Sequence, residues 1–289
     1  MTVRDWFSPE LWMEFGVAAG KLAIFGAFLA LLWAVVNWVT HFDDHDQLFV
    51  QRNRSYLMQR CGLLLGQGVA MWPLLDSSGR LGFDFAWLVG GGVWVMVLLG
   101  LLWPVLNWVV GKGDMTNPDD VQERSLSIVR GSFFVAAGFV IAAALSGDAP
   151  SVVTGIVSTV VFTLLGLIAL VLAYLVNGAV PQFDRLSQHL RSGNVAAAII
   201  AGGFTIALGI VLNKAIAGDF TGWALSLVGF AVTLVVAMIG FYLVSWLMDK
   251  FIITSATLAQ VVREDQQLPA VATAAMLVTV AAAVAALPV

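Results

Sequence analysis

The chain has 289 residues, of which 60% are hydrophobic and only 11% charged, and its formal net charge is −4. Soluble domains carry about a quarter charged residues, so a water-soluble fold is excluded and lipid must solvate much of the chain. The single cysteine, Cys61, excludes an intramolecular disulfide and any multi-cysteine metal or iron–sulfur site.

A helix needs about 20 mostly apolar residues to cross the hydrocarbon core. Eight stretches reach or approach that length, at 15–39, 55–75, 85–110, 126–146, 151–177, 194–217, 222–248 and 269–287. They are too long and too rich in Ala and Leu for barrel strands of about 9–11 residues.

The first span is too long for a signal h-region of about 7–15 residues and lacks a small-residue cleavage site, so it is read as a retained helix. It carries Lys21, seven residues after Glu14 and on the same face, which suggests a Glu14–Lys21 pairing or snorkelling. The following run, His41-Phe42-Asp43-Asp44-His45-Asp46, is metal-like in composition. It lies in a wet loop and is read as a solvated acidic face, so no metal is expected. Span two holds Gln59, Arg60, Cys61 and Gln67, with Cys61 read as packing. Gly62 and Gly66 in that span, Gly16 and Gly20 in span one, and Gly90–Gly92 in span three are small residues suited to close helix contact. Pro104 is expected to kink span three. Arg130 lies in span four. The third long loop shows Phe183, Leu186 and Leu190 at helical spacing, and Phe42 and Phe49 repeat its first and last positions. These read as short amphipathic helices at the interface, and Phe251, Ile252, Leu258, Val261 and Val262 of the fourth loop can do the same. Trp6, Trp12, Trp38, Trp108 and Trp246 fall near span ends, where tryptophan anchors helices.

Connections after spans two, four and six are short, and those after the odd-numbered spans are long and polar. The chain is therefore four hairpins in series. Eight Lys and Arg residues lie in the long loops: Arg52, Arg54, Lys112, Arg124, Arg185, Arg191, Lys250 and Arg263. The opposite side has Arg4, Arg80 and Lys214. The positive-inside rule then places the long loops in the cytoplasm and both termini outside.

A shift of 141 residues superposes the halves. It sets Phe42, Asp43 and Gln47 on Phe183, Asp184 and Gln188, and Asn53, Gly62 and Gly68 on Asn194, Gly203 and Gly209. It also sets Thr116, Val121 and Glu123 on Thr257, Val262 and Glu264. A weaker shift of about 70 relates the hairpins within each half. Asn53, Glu123, Asn194 and Glu264 then fall where long loops re-enter the membrane, as expected of residues that cap free backbone amides. The expected architecture is all-α, a polytopic transmembrane bundle of about eight helices in two tandem pseudo-symmetric four-helix units, 1–148 and 149–289.

The stretch FDRLSQHLRSGNVAAAIIAGGFTIALG at 183–209 resembles the YjfL-like bacterial inner-membrane family, domain of unknown function 350. In that family's four-helix unit a polar loop ends in Asn-x-Ala-Ala and enters a Gly- and Ala-rich helix. Asn194, Ala196, Ala197 and Gly203 match. The first half matches in Asp43, Asn53, Gly62 and Gly68, with Arg54, Ser55 and Tyr56 in place of the small apolar run. The resemblance implies two tandem units in the bacterial inner membrane and no particular chemistry.

Arg60 and Arg130 each lie seven positions past Asn53 or Glu123, about 10 Å along a helix. A charge within a span is a functional-site hypothesis by default. At the same shift their equivalents are Ala201 and Val271, and Gln59 and Gln67 correspond to Ile200 and Leu208. Arg60, Gln67 and Arg130 are therefore the candidate pocket for an anionic lipid or ligand, set against the alternative that both arginines snorkel to the interface. No span has a carboxylate near its centre, which counts against a proton-coupled carrier. No catalytic triad, paired-carboxylate site or cofactor motif is visible. The expected function is a non-catalytic membrane module that packs with or stabilises another membrane component and binds lipid; the alternative is a transporter or channel for a small solute, with anions the first class to consider. Expected partners are membrane lipids, another membrane protein or a second copy, and no nucleic acid; no cofactor is expected.

Overall fold

The computed structural model describes residues 9–40, 43–76, 81–112, 117, 120–178, 186–251 and 258–287. Every regular element among them is helical. The eight long helices are α1 (Pro9–Thr40), α2 (Arg54–Met71), α3 (Leu81–Val109), α4 (Val121–Leu145), α5 (Val152–Gly178), α6 (Val195–Ile216), α7 (Trp223–Phe251) and α8 (Gln267–Ala285). Seven of these, all but α2, are long and apolar enough to cross a membrane, as expected of a multi-pass membrane protein. The expected span two is shorter as an α-helix than its apolar run. Pro73 has no amide proton to continue the ladder, and Trp72–Leu75 tightens into a 3-10 turn. Pro104 stands inside α3, which continues past it.

The hairpin order hides a second pattern. The even-numbered helices form an inner row in which α2 packs on α4, α4 on α6 and α6 on α8. The odd-numbered helices flank it: α1 on α2 and α3, α3 on α2 and α4, α5 on α4 and α6, α7 on α6 and α8. Each inner helix begins at a long loop, so all four run in the same direction. Lipid tails are as apolar as leucine, so helices associate in a bilayer through close packing, which small residues permit. A Cβ on Gly62 would lie 2.3 Å from Gly131 Cα, and one on Gly66 would lie 2.3 Å from the Phe134 carbonyl oxygen. In the second half Gly203 meets Ala274 in the same way, at 2.4 Å. Gly131 thus corresponds to Ala274, 143 positions later, whereas Gly62 and Gly203 keep the 141-residue shift. The last long loop has slipped by two residues relative to its counterpart.

The caps also depart from a strict repeat in the last hairpin. Asn53 accepts from the Tyr56 amide and Asn194 from the Ala197 amide, as their place in the sequence predicts. Glu123 is not the cap of α4. Asp120 is, accepting from the amides of Gln122 and Glu123. Glu264 stands two residues before the last helix boundary, at Gln266, and its carboxylate accepts from Gln260 and Gln266 side chains.

The loop segments Leu186–Arg191 and Leu258–Arg263 are helical. Their apolar residues Leu190, Val261 and Val262 are buried against the protein rather than laid on lipid. In the first loop, the π-helical turn Asp46–Val50 leaves Phe49 exposed. Phe42, Phe183 and Ile252 lie outside the described residues. On the opposite side the two short connectors facing the inter-unit seam bond to each other. The Asp148 amide donates to Asp219 Oδ1, 2.8 Å, and the Phe220 amide to the Asp148 carbonyl, 2.9 Å. Trp12, Trp38, Trp108 and Trp246 are exposed toward helix ends, where interfacial anchors belong, and Trp6 is outside the described residues.

Candidate functional site

Among the described residues the buried charged side chains are confined to the first unit, and they fall into two clusters at the long-loop end and one at the other. The first surrounds Arg60. Burial of Arg60 on α2 forces its guanidinium to find partners, and it finds them across the groove on α1 and in the first loop. Its Nη2 donates to Asn37 Oδ1 and, at 2.5 Å, to the Tyr56 hydroxyl, and lies 3.5 Å from Asp44 Oδ1. Asp44 also accepts from Trp33 Nε1 at 2.6 Å, from Asn37 Nδ2 and from the Tyr56 hydroxyl. The guanidinium carbon sits 5.2 Å from the Trp33 ring centroid and 4.8 Å from that of Tyr56. Such contacts favour a desolvated cation.

The second cluster is on α4. Glu123 and Arg130 are two turns apart on one face, and Arg130 Nη1 meets Glu123 Oε1 at 2.6 Å. Ser127, between them, donates to the same oxygen at 2.9 Å. Arg130 Nη2 donates to the carbonyl of Gly111, 2.5 Å away, where the chain leaves α3 with a positive φ of 120°. Both side chains are buried; neither arginine snorkels into water. Each is instead paired with a carboxylate inside the protein.

Gln67 is the third expected site residue. It is fully buried on α2, and its Nε2 meets Met71 Sδ at 3.3 Å. Its amide oxygen has no partner among the described residues, and neither do Gln59 Oε1, Arg60 Nη1, Glu123 Oε2 and Arg130 Nε. Arg60 and Gln67 thus share one buried helix, while Arg60 turns to α1 and Arg130 to the end of α3.

At the opposite end Lys21 pairs with Asp84, 3.6 Å away, rather than with the exposed Glu14. Its ammonium also donates to the carbonyls of Leu75 and Asp76, at 3.3 and 2.6 Å, and closes the 3-10 turn after α2. Cys61 faces outward from α2 and is exposed instead of packed inside. Among the described residues no group of three or more His, Cys, Asp or Glu is placed to hold a metal. His41 lies outside them, and Asp44 is spoken for by Arg60, Trp33, Asn37 and Tyr56.

The residues missed from the sequence are Asp44, Asn37, Trp33 and Tyr56 around Arg60, and Glu123 as the partner of Arg130. A signal for the first was present. The repeat replaces Asp44 by Arg185 and Arg60 by Ala201, so both members of the pair are lost together. For the second, seven-residue spacing puts Glu123 and Arg130 on one face. At the corrected shift their equivalents are Gln266 and Thr273, again a joint loss.

Neither the curated proteins nor the solved structures provide a significant match to the chain. The model of one family, described as Domain of Unknown Function (DUF350), matches twice in tandem, over residues 10–145 and 151–287. Two matched copies covering nearly the whole chain accord with the repeated inner-row geometry, and the protein belongs to the DUF350 family as a tandem, two-unit member.

Proposed function

We propose that this protein is a non-catalytic membrane module that packs with or stabilises another membrane component. In this reading the long-loop end of its first unit holds phosphate-bearing lipid headgroups at two places, at Arg60 with Gln67 on the same helix and at Arg130. The observation that carries it is a spare donor on each buried guanidinium: Arg60 Nη1 and Arg130 Nε have no partner among the described residues. An unmet buried donor costs about 1–3 kcal/mol, and a phosphate oxygen would remove that cost with the geometry arginine favours. Asp44 and Glu123 keep the site close to neutral, which suits a headgroup that carries an amine beside its phosphate. The Lys and Arg bias of the long loops supports a reading in which this end lies in the cytoplasmic leaflet of a bacterial inner membrane, with both termini outside.

The test is the phospholipid retained per protein after extraction into native nanodiscs, read by phosphorus assay and mass spectrometry. Arg60→Ala and Arg130→Ala are expected to lower tightly held phospholipid at least twofold while size-exclusion profiles stay unchanged. Wild-type lipid content in both folded variants refutes the site.

A transporter or channel for a small solute is the second reading. It is favoured by the unpartnered buried amide oxygens of Gln59 and Gln67, which continue a polar line along α2 from Arg60. Proteoliposomes that pass no small anion or cation would end it.

A further inference from the structure

We infer that copies of this chain assemble head to tail, the outer face of α8 on one copy receiving the outer face of α2 on the next. This is independent of lipid binding at the arginines. Its basis is the junction between the two units, where α4 and α6 meet. A Cβ on Gly202 of α6 would lie 2.5 Å from Ser132 Oγ, and one on Gly209 would lie 2.6 Å from Ala136 Cα. One turn further, Asn213 Nδ2 donates to the Phe139 carbonyl at 2.8 Å.

The repeat carries both faces of that junction to the two ends of the row. The α6 face corresponds to Cys61, Gly68 and Trp72 at the end of the row formed by α2 and the turn after it. The α4 face corresponds to Ala275, Thr279 and Ala282 on α8. Cys61 is exposed, Trp72 is 74% exposed and Gly68 is half-buried. Ala275, Thr279 and Ala282 are all exposed. The two faces that join inside the chain are therefore both open at its ends.

Their residues have also changed in step. Ser132, tight against Gly202, becomes Ala275, and Gly202 becomes Cys61: one face loses an oxygen where the other gains a side chain. A Cβ on Gly166 of α5 would meet Val140 at 2.6 Å. At the ends the corresponding pair is Phe25 on α1 and Ala283 on α8, so bulk has again moved from one face to the other. Gly68 keeps the glycine of the closest approach. The hydroxyl of Thr279 is already turned back along its own helix, bonded to the Ala275 carbonyl at 2.8 Å. A lipid-covered surface imposes no such pairing of volumes between two ends of one chain. All inner helices run the same way, so the next copy docks with the same sidedness in the bilayer. A contact of this heterologous kind extends into a ring or a row rather than stopping at a dimer.

Cys61 is the only cysteine in the chain, which gives a direct test. Ala275→Cys is introduced with Cys61 retained, and native membranes are oxidised and run without reductant. The expected result is a ladder of dimer, trimer and higher species. A ladder needs two different contact sites, whereas α8-to-α8 or α2-to-α2 contact gives dimers alone. Loss of the ladder in A275C combined with C61S is also expected. No cross-linked species above the single-cysteine background overturns the inference, as does an equal ladder from Val228→Cys, a 61% exposed position on α7. Independently, the particle mass of Ala275→Trp in mild detergent is expected to fall from a multiple of the chain mass to one chain. A wild-type protein that is itself a single chain under those conditions overturns the inference.

Discussion

The two units share a backbone plan and differ in what they bury. In both, two parallel inner helices close on a small-residue contact, Gly62 on Gly131 in one and Gly203 on Ala274 in the other. In the first unit the long-loop end of that pair is flanked by two ion pairs, Arg60 with the half-buried Asp44 and the fully buried Arg130–Glu123. In the second the corresponding positions are Ala201 and Arg185, and Thr273 and Gln266. The second unit folds around the same contact without either pair, so the plan does not require them. A buried pair rarely stabilises more than well-packed apolar groups of the same volume, because desolvation offsets the attraction. Retained charges in a span therefore point to a task, which is why the first unit holds the candidate site.

The sharpest way to break that comparison is to remove one half of a pair. Glu123→Ala leaves Arg130 buried with the Gly111 carbonyl as its remaining partner. Breaking a buried pair this way is expected to destabilise the protein by about 3–5 kcal/mol, read as a large drop in melting temperature in detergent. The double variant Glu123→Leu with Arg130→Met removes both charges and is expected to recover most of that loss. If it is as unstable as the single variant, the pair belongs to the fold and the contrast between units loses its functional meaning.

The architecture was legible because long apolar runs separated by polar loops have few physical interpretations. The Asn53 and Asn194 caps were legible for a similar reason: a short polar side chain at a helix start has an obvious donor to satisfy. Partners across helices were not. Lys21 has Glu14 two turns away on its own helix, and nothing in the sequence says that α3 will bring Asp84 closer. Glu123 sits near a helix start and reads as a cap until Asp120, three residues earlier, is found to hold the free amides. The alternation of inner and outer helices was also hidden, since four hairpins in series fix the order of the spans but not which ones touch. The two-residue slip in the last loop is invisible for the same reason, because only the contact of Gly203 with Ala274 sets the register.

The shared backbone can be tested at its closest points. Gly62→Ala forces a methyl to within 2.3 Å of Gly131 Cα, against backbone that cannot rotate away. Overpacking of this kind costs about 1–3 kcal/mol. Gly203→Ala meets Ala274 at 2.4 Å and is expected to cost a similar amount, while Gly90→Ala, which meets nothing within 4 Å, is expected to be neutral. Unequal losses at Gly62 and Gly203 would mean that the charged pairs, and not the glycine contact, set the spacing in the first unit.

The smallest effects separate the caps. Asn53→Ala and Asn194→Ala each remove an N-cap acceptor, worth about 0.5–2 kcal/mol. Each asparagine also donates, Asn53 to Gln47 Oε1 at 2.8 Å and Asn194 to the Val262 carbonyl at 2.5 Å, so Asn53 ties its own loop to α2 while Asn194 ties the fourth long loop to α6. Gln266 makes no side-chain cap to α8. Hydrogen exchange should therefore quicken at the Tyr56 amide in the first variant and at the Ala197 amide in the second. Gln266→Ala should leave the first turn of α8 as it was. The asparagine variants test the parts of the loop that both units share, and Gln266 tests the place where the last loop departs. Faster exchange in α8 on replacing Gln266 would show that the slipped loop has rebuilt a cap of its own, and that the fourth hairpin is held at its start like the first and third.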